Sequence, residues 1–391
     1  MESILISVDP ERIYKHILRT EGEKHPLYSL DRMEACADYI LAEFESYGLN
    51  TNVHEFKVEG FGYTFRNIEA STNGEGPELL IVSHYDTVRH APGANDNGSA
   101  VSVMLEAARV LSMSEPSGTV RFISFNLEEL NPSRAQQMAE LALEHGIRDE
   151  NGRYTSWHTS QKMERFSLLH SKFIAESKTY AEAAAKAITE MGDELSSTER
   201  KYLEEIQTLL NGISLTNWPG KTSLMGSSTW VRDALQRGQS VKGVLCLETM
   251  GYTSNKKNSQ HFPEGLDPSM FKIYGTESDL KTGDFLAIVG DCNSEILAKT
   301  LCEQFRRESV QLPYACLQEA FTYEQAAHIM YDILRSDHAP FWRENIPALM
   351  LTDTANFRYP FYHTPADTID KLDFDFLAKI CKAVVATALT L

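Results

Sequence analysis

His84 and Asp86 close the apolar run of the segment LLIVSHYDTVRHAPGANDNGSA, residues 79–100, and Asp96 follows in a Gly/Asn-rich turn. Residues two apart on a β-strand share a face, so a strand ending at His84 presents an imidazole to a cation while Asp86 steadies it from behind. Asp96 adds an anionic oxygen. Comparable groups recur along the chain: Glu128 and Glu129 after VRFISFNL, Glu248 after VLCL, Asp337 and His338 before a last predicted strand, and His363 shortly after PALMLTDT. In an open α/β sheet, ligands collect outside the carboxyl ends of the strands, so one rim is expected to carry them all.

Neighbouring residues on a regular strand face opposite ways. Glu128 and Glu129 therefore serve one centre only where the chain is leaving the sheet. One of them would bind metal while the other reaches the attacking water as a general base. A carboxylate after a run as apolar as VLCL is costly to bury unless paired or coordinated, which singles out Glu248. Each residue alone has a plainer explanation: a strand-end histidine is usually hydrogen-bonded structure, an EE pair is usually solvated, and Asp96 suits the turn in GANDNG. Those explanations would all have to hold at once.

The elements needed to place these groups are legible. Helical spacing predicts helices over 10–19 and 29–47, the second with Met33, Cys36, Tyr39, Ile40 and Phe44 on one face. Strands are expected over 51–58 and 63–70, with Gly60 and Gly62 in the turn between them, then over 79–86 and 119–126 around a helix at 99–113. Further strands are expected over 242–249, 285–291 and 347–353, with helices over 293–307 and from about 373. This alternation predicts an α/β fold: a mixed, largely parallel sheet flanked by helices.

Residues 131–218 read differently. They are dominated by helical periodicity, and Ser196 with Glu199 forms a capping box before the apolar stripe Tyr202, Leu203, Ile206, Leu209 and Leu210. The expected organisation is a catalytic domain made of 1–130 and 219–391, with 131–218 an inserted helical cap: for most of its residues a surface elaboration packing on itself, or, on a sharper reading, a lid or homo-oligomer contact at the mouth of the site. His158 and His170 within it are expected to be surface or packing residues rather than ligands. Arg358 is expected to anchor its loop.

The formal net charge of −18 argues against nucleic acid or an anionic membrane surface as a partner. No apolar stretch approaches the roughly 18 residues that span a bilayer. The opening MESILISVDPERIYKHILRT lacks the pattern of a secretion signal. Cysteines 36, 246, 292, 302, 316 and 381 are scattered with no CxxC pair, so neither a thiolate zinc site nor a disulfide framework is expected, and a cytoplasmic setting fits.

The chain resembles the M28 family of zinc peptidases, the co-catalytic aminopeptidase group that also contains glutaminyl cyclases and some non-enzymatic relatives. The matching segments are SHYDTV, PGANDNGSA, FNLEEL, LCLETMGY, GDFLAIVG, RSDHAPFW and TDTANFRYPFYHTPADTIDKL, in that order. The resemblance implies two zinc ions, one held by His84 and Glu248, the other by Glu129 and His363, with Asp96 bridging. It implies that Asp86 orients His84, that Glu128 is the general base and later proton donor, and that the Asp96–Asn97 bond is cis. His338 stands where relatives carry a tyrosine or histidine near the substrate carbonyl, which assigns it to the oxyanion. The implied activity is a metal-dependent aminopeptidase acting on peptides. The alternatives are a mono-zinc, glutaminyl-cyclase-like acyltransferase and a binding relative without chemistry. Two departures stand out: Glu248 replaces the aspartate of many relatives, and the helical stretch after Glu129 is unusually long. The position of that stretch also disfavours the M20 peptidases, whose extra domain follows the fourth ligand.

Overall fold

The computed structural model describes residues 1–174, 176–263, 273–275, 279–318 and 321–391. Its strands are β1 (Asn50–Lys57), β2 (Thr64–Ser71), β3 (Glu78–His84), β4 (Val120–Phe125), β5 (Val241–Glu248), β6 (Ile273–Tyr274), β7 (Leu286–Gly290), β8 (Tyr314–Gln318) and β9 (Ala348–Thr352). They form one mixed sheet in the order β1-β2-β4-β3-β5-β9-β7-β8-β6. The centre, β4-β3-β5-β9, is parallel, as is β7 with β8. The pairs β1/β2, β2/β4, β7/β9 and β6/β8 are antiparallel.

The helices are α1 (Glu2–Leu5), α2 (Pro10–Thr20), α3 (Leu30–Ser46), α4 (Ala100–Ser112), α5 (Pro132–Glu144), α6 (Trp157–Ile174), α7 (Tyr180–Met191), α8 (Ser197–Leu209), α9 (Met225–Gln236), α10 (Glu295–Phe305), α11 (Tyr323–Ile329), α12 (Ala339–Arg343) and α13 (Phe374–Thr390). They cover both sheet faces, which explains why the central strands read as continuous apolar runs rather than alternating ones. Leu79 and Ile81 of β3 point to one face and join Met104 of α4, Phe44 of α3 and Val384 of α13. Leu80 and Val82 point to the other and join Trp230 of α9, Phe341 of α12 and the helices between Asn131 and Trp218.

Those helices are bound firmly to the second face. Ala184, Ala187, Leu203, Ile206 and Trp218 share one apolar cluster with Phe125, Val244 and Met350 of the sheet. The capping box of Ser196 and Glu199 starts α8. His170 stacks on Phe166 and bonds the Tyr180 carbonyl at 3.0 Å, so it packs, whereas His158 lies on the surface, edge-on to the exposed Trp157. Arg358 is buried, donating to the Phe285 carbonyl at 2.6 Å and to Gln260 at 2.7 Å, and thereby ties down the loop after β9. All six cysteines are free. Among the described residues, no helix is long and apolar enough to cross a membrane.

Candidate metal centre

His84 is the last residue of β3 and Glu248 the last of β5, so two adjacent parallel strands deliver both side chains at the same edge. Glu128 and Glu129 follow β4 after Leu127, whose φ of +58° turns the chain out of the sheet. The chain returning from the helical segment fixes that exit. The Leu224, Met225 and Gly226 amides donate to the carbonyls of Glu128, Leu127 and Asn126 at 2.8, 2.8 and 3.1 Å. A Cβ on residue 226 would lie 2.3 Å from the Asn126 oxygen, so this approach requires glycine.

Asp96 sits in the tight segment before α4, and its bond to Asn97 is cis. Asn97 donates to the Leu247 carbonyl at 3.0 Å and accepts from the Thr249 amide at 2.9 Å, locking Asp96 to the end of β5. Asp367 accepts the amides of Asn95 and Asp96 at 2.8 and 3.2 Å. His363 arrives from the loop after β9.

The resulting geometry is divided in two. His84 Nε2 lies 3.5 Å from Asp96 Oδ1 and 3.4 Å from Glu248 Oε2. His363 Nε2 lies 3.0 Å from Asp96 Oδ2 and 3.3 Å from Glu129 Oε2. Each oxygen of Asp96 thus faces a different histidine. Glu128 stands off at 4.0 Å from His84 Nε2. Thr249 and Ser336 each donate to one Glu248 oxygen at 2.7 Å, which holds that carboxylate in place. Asp86 accepts the amides of Glu128 and Glu129 at 3.0 and 3.1 Å, and its Oδ1 lies 3.6 Å from His84 Nδ1, so one buried carboxylate organises three of the groups.

Four carboxylates converge with two imidazoles as their only ion partners among the described residues. Burial pushes the Glu128 carboxyl well up, helped by Glu129 and Glu248, and burial likewise raises Glu129. Burial would lower the histidines, yet Glu248 and Glu128 pull His84 well up, and Glu129 with Asp96 takes His363 up to about 10. Burial works upward on Asp96, but its bonds to both histidines hold it below the ordinary carboxylate range. Glu129 Oε1 is buried without a hydrogen-bond partner. An excess of buried anionic oxygen, an orphaned carboxylate atom and imidazoles aimed inward fit divalent cations. Two overlapping sets have ligand atoms within reach of one ion: His84, Glu128 and Glu248, and His84, Asp96 and Glu129.

His338 is placed elsewhere, which corrects its expected role at the oxyanion. It is fully buried, its Nε2 donates to the Ile333 carbonyl at 2.7 Å, and its ring meets Trp342 edge-on at 4.6 Å. With its one N–H committed to backbone it has none left for substrate. Burial lowers its pKa from 6.5 to about 4. The unfolded chain therefore takes up the proton first, so the stability that neutral His338 contributes is intact above pH 6.5 and is lost as pH falls toward 4. Relative to His338→Gln, the parent is expected to lose about 2 kcal/mol between pH 7.5 and pH 5. Urea unfolding at the two pH values measures this; a pH-independent gap would contradict it.

Two groups that sequence reading passed over stand beside the cluster of histidines and carboxylates. Tyr362 stacks on His363 with ring centroids 3.8 Å apart, and its phenol feels the charges of Asp96, Glu129 and Glu248. Arg335 Nη2 lies 3.5 Å from the Tyr362 hydroxyl. Both residues line a largely apolar cavity that opens at Glu248 and runs over β7, β8 and β9. Adjacency to His363 was the available signal for Tyr362; Arg335 had only its place before SDH.

The sequence model of peptidase family M28 matches residues 67–193 and 286–388, more than half of the chain. The chain is 24% identical over 390 residues to the uncharacterized protein YfbL of Escherichia coli K12, covering 96% of this chain and 86% of that protein. It is 30% identical over 154 residues to aminopeptidase YwaD of Bacillus subtilis 168, covering 39% and 34%. Among solved structures it is similar to the LapA aminopeptidase of Legionella pneumophila, with a TM-score of 0.58 at 17% identity over 99% of this chain and 73% of that one. It is also similar to the glutaminyl cyclase of Porphyromonas gingivalis, with a TM-score of 0.55 at 15% identity over 97% and 98%. At these identities the structural likeness is one of fold.

Proposed function

The chain belongs to peptidase family M28, and from that premise we propose that it is a zinc-dependent aminopeptidase that removes N-terminal residues from peptides. The observation that carries this reading is the division of Asp96 between two histidines. His84, Glu248 and Asp96 would hold one zinc ion, and Asp96, Glu129 and His363 the other. Bound there, the ions would supply Lewis acidity toward water and the scissile carbonyl.

The remaining steps fall to the protein's own groups. Glu128 accepts the proton of the attacking water and delivers it to the leaving amine. Its carboxylate suits this better than that of Glu129, which faces His363 at close range. Tyr362 takes the role expected of His338: burial pushes its phenol well up, so it keeps its proton and donates to the developing oxyanion. Asp86 keeps His84 and both glutamates in register. Asp86→Asn is expected to weaken zinc binding about 10- to 100-fold in chelator competition; unchanged affinity would remove the orienting role.

An unbiased peptide library, read by mass spectrometry, tests the activity. The expected result is loss of single N-terminal residues from free peptides only. Cyclisation of N-terminal glutamine without hydrolysis would favour the acyltransferase reading, and binding without turnover the non-catalytic one.

A further inference from the structure

The cavity beside Glu248 is apolar along the sheet, where Val289, Leu317 and Met350 line it, and Arg335 is the one lysine or arginine among its described lining residues. The chain on either side of Arg335 is anchored. Ser336, next in sequence, bonds Glu248 directly at 2.7 Å. The turn just before it is braced by the helical segment: the Tyr331 and Tyr180 hydroxyls are 2.6 Å apart, and Trp218 lies against Tyr331 with centroids 5.5 Å apart.

Arg335 Nη1 donates to Asp332 at 3.2 Å and Asn356 at 3.3 Å. The Asp332 pair is more than a third exposed on both sides, so it orients the fork without supplying much energy. Nη2 gives one of its two hydrogens to the Tyr362 hydroxyl at 3.5 Å, so the Nε–Nη2 edge keeps the Nε hydrogen and one Nη2 hydrogen for a carboxylate. One tyrosine side chain, Tyr362, separates this guanidinium from His363. A peptide advances by about 3.5 Å per residue, so a carboxylate one or two residues beyond the scissile bond comes within reach.

We propose that Arg335 binds the free C-terminal carboxylate of a short peptide, so that the preferred substrates are di- and tripeptides with apolar side chains. This rests on the aminopeptidase reading for the cleavage step, though not for the binding step. A prepaid guanidinium position raises affinity by lowering the ordering cost on binding.

The test compares Leu-Leu with Leu-Leu-amide on the zinc-loaded protein. The acid is expected to be cleaved with at least tenfold higher kcat/KM, chiefly through KM. Arg335→Met should bring the two substrates within threefold of each other, and Arg335→Lys should recover part of the difference. Calorimetry on the Glu128→Gln protein provides a second readout, with the acid bound at least tenfold more tightly than the amide. A preference below threefold in the parent, or one that survives Arg335→Met, overturns the proposal. If nothing is cleaved but the binding preference appears and depends on Arg335, the hydrolase reading fails and the carboxylate site stands.

Discussion

Glu128→Gln is expected to lower kcat by about 10²–10⁴-fold while leaving two zinc ions per chain and substrate affinity close to the parent. The substitution keeps the size and reach of the side chain and removes its charge and its ability to take a proton. Glu128 lies 4.0 Å from His84 Nε2 and within metal-binding distance of His84 and Glu248, so geometry alone also allows it to be a ligand. The variant separates the two roles. A base leaves metal content intact and halts turnover, whereas a ligand takes an ion with it. Stopped kinetics with zinc analysis on the same preparation would decide, and unchanged turnover would sink the role.

Asp96→Asn should be as severe for a different reason. Asp96 offers one oxygen to each histidine, and an amide replaces one of those anionic donors by an N–H group that repels a cation. Zinc content is expected to fall below two per chain and kcat/KM to fall by about 10³-fold. Thermal stability in saturating zinc should fall toward that of the chelated parent, because ligand binding to the folded state alone stabilises it. Retention of two ions at parental affinity would show that the carboxylate does not bridge.

The core of the fold was legible because its driving force is local. β3, β4, β5 and β9 are apolar runs that end in a polar residue or turn, and the helices around them carry apolar faces at helical spacing. The placement of two candidate ligands was legible for the same reason: strand ends are sites where the backbone alone fixes where His84 and Glu248 emerge. What escaped depends on distant partners. β8, with the sequence YACLQ, is a strand because β7 pairs with it, and β7 runs antiparallel to β9 through contacts no local pattern records. α9, MGSSTWVRDALQ, has a small-residue start that reads as a loop, yet Gly226 is what lets it lie against Asn126.

His338 shows the limit for side chains. The resemblance to relatives that carry a tyrosine or histidine there suggested the oxyanion, but the ring turns to the Ile333 carbonyl and Trp342. Tyr362 and Arg335 emerge only once the loop after β9 is folded against the turn before α12. On sequence alone the helical segment is a surface elaboration for most of its length, with a sharper reading of part of it as a cap or lid beside the pocket. It supplies none of the described cavity lining and braces the wall from behind through Tyr180 and Trp218.

Anomalous diffraction at the zinc edge from zinc-loaded crystals addresses the two-ion centre most directly. Two peaks are predicted, one among His84, Asp96 and Glu248 and the other among Asp96, Glu129 and His363; a single peak, or peaks that leave Asp96 outside both coordination shells, would contradict it.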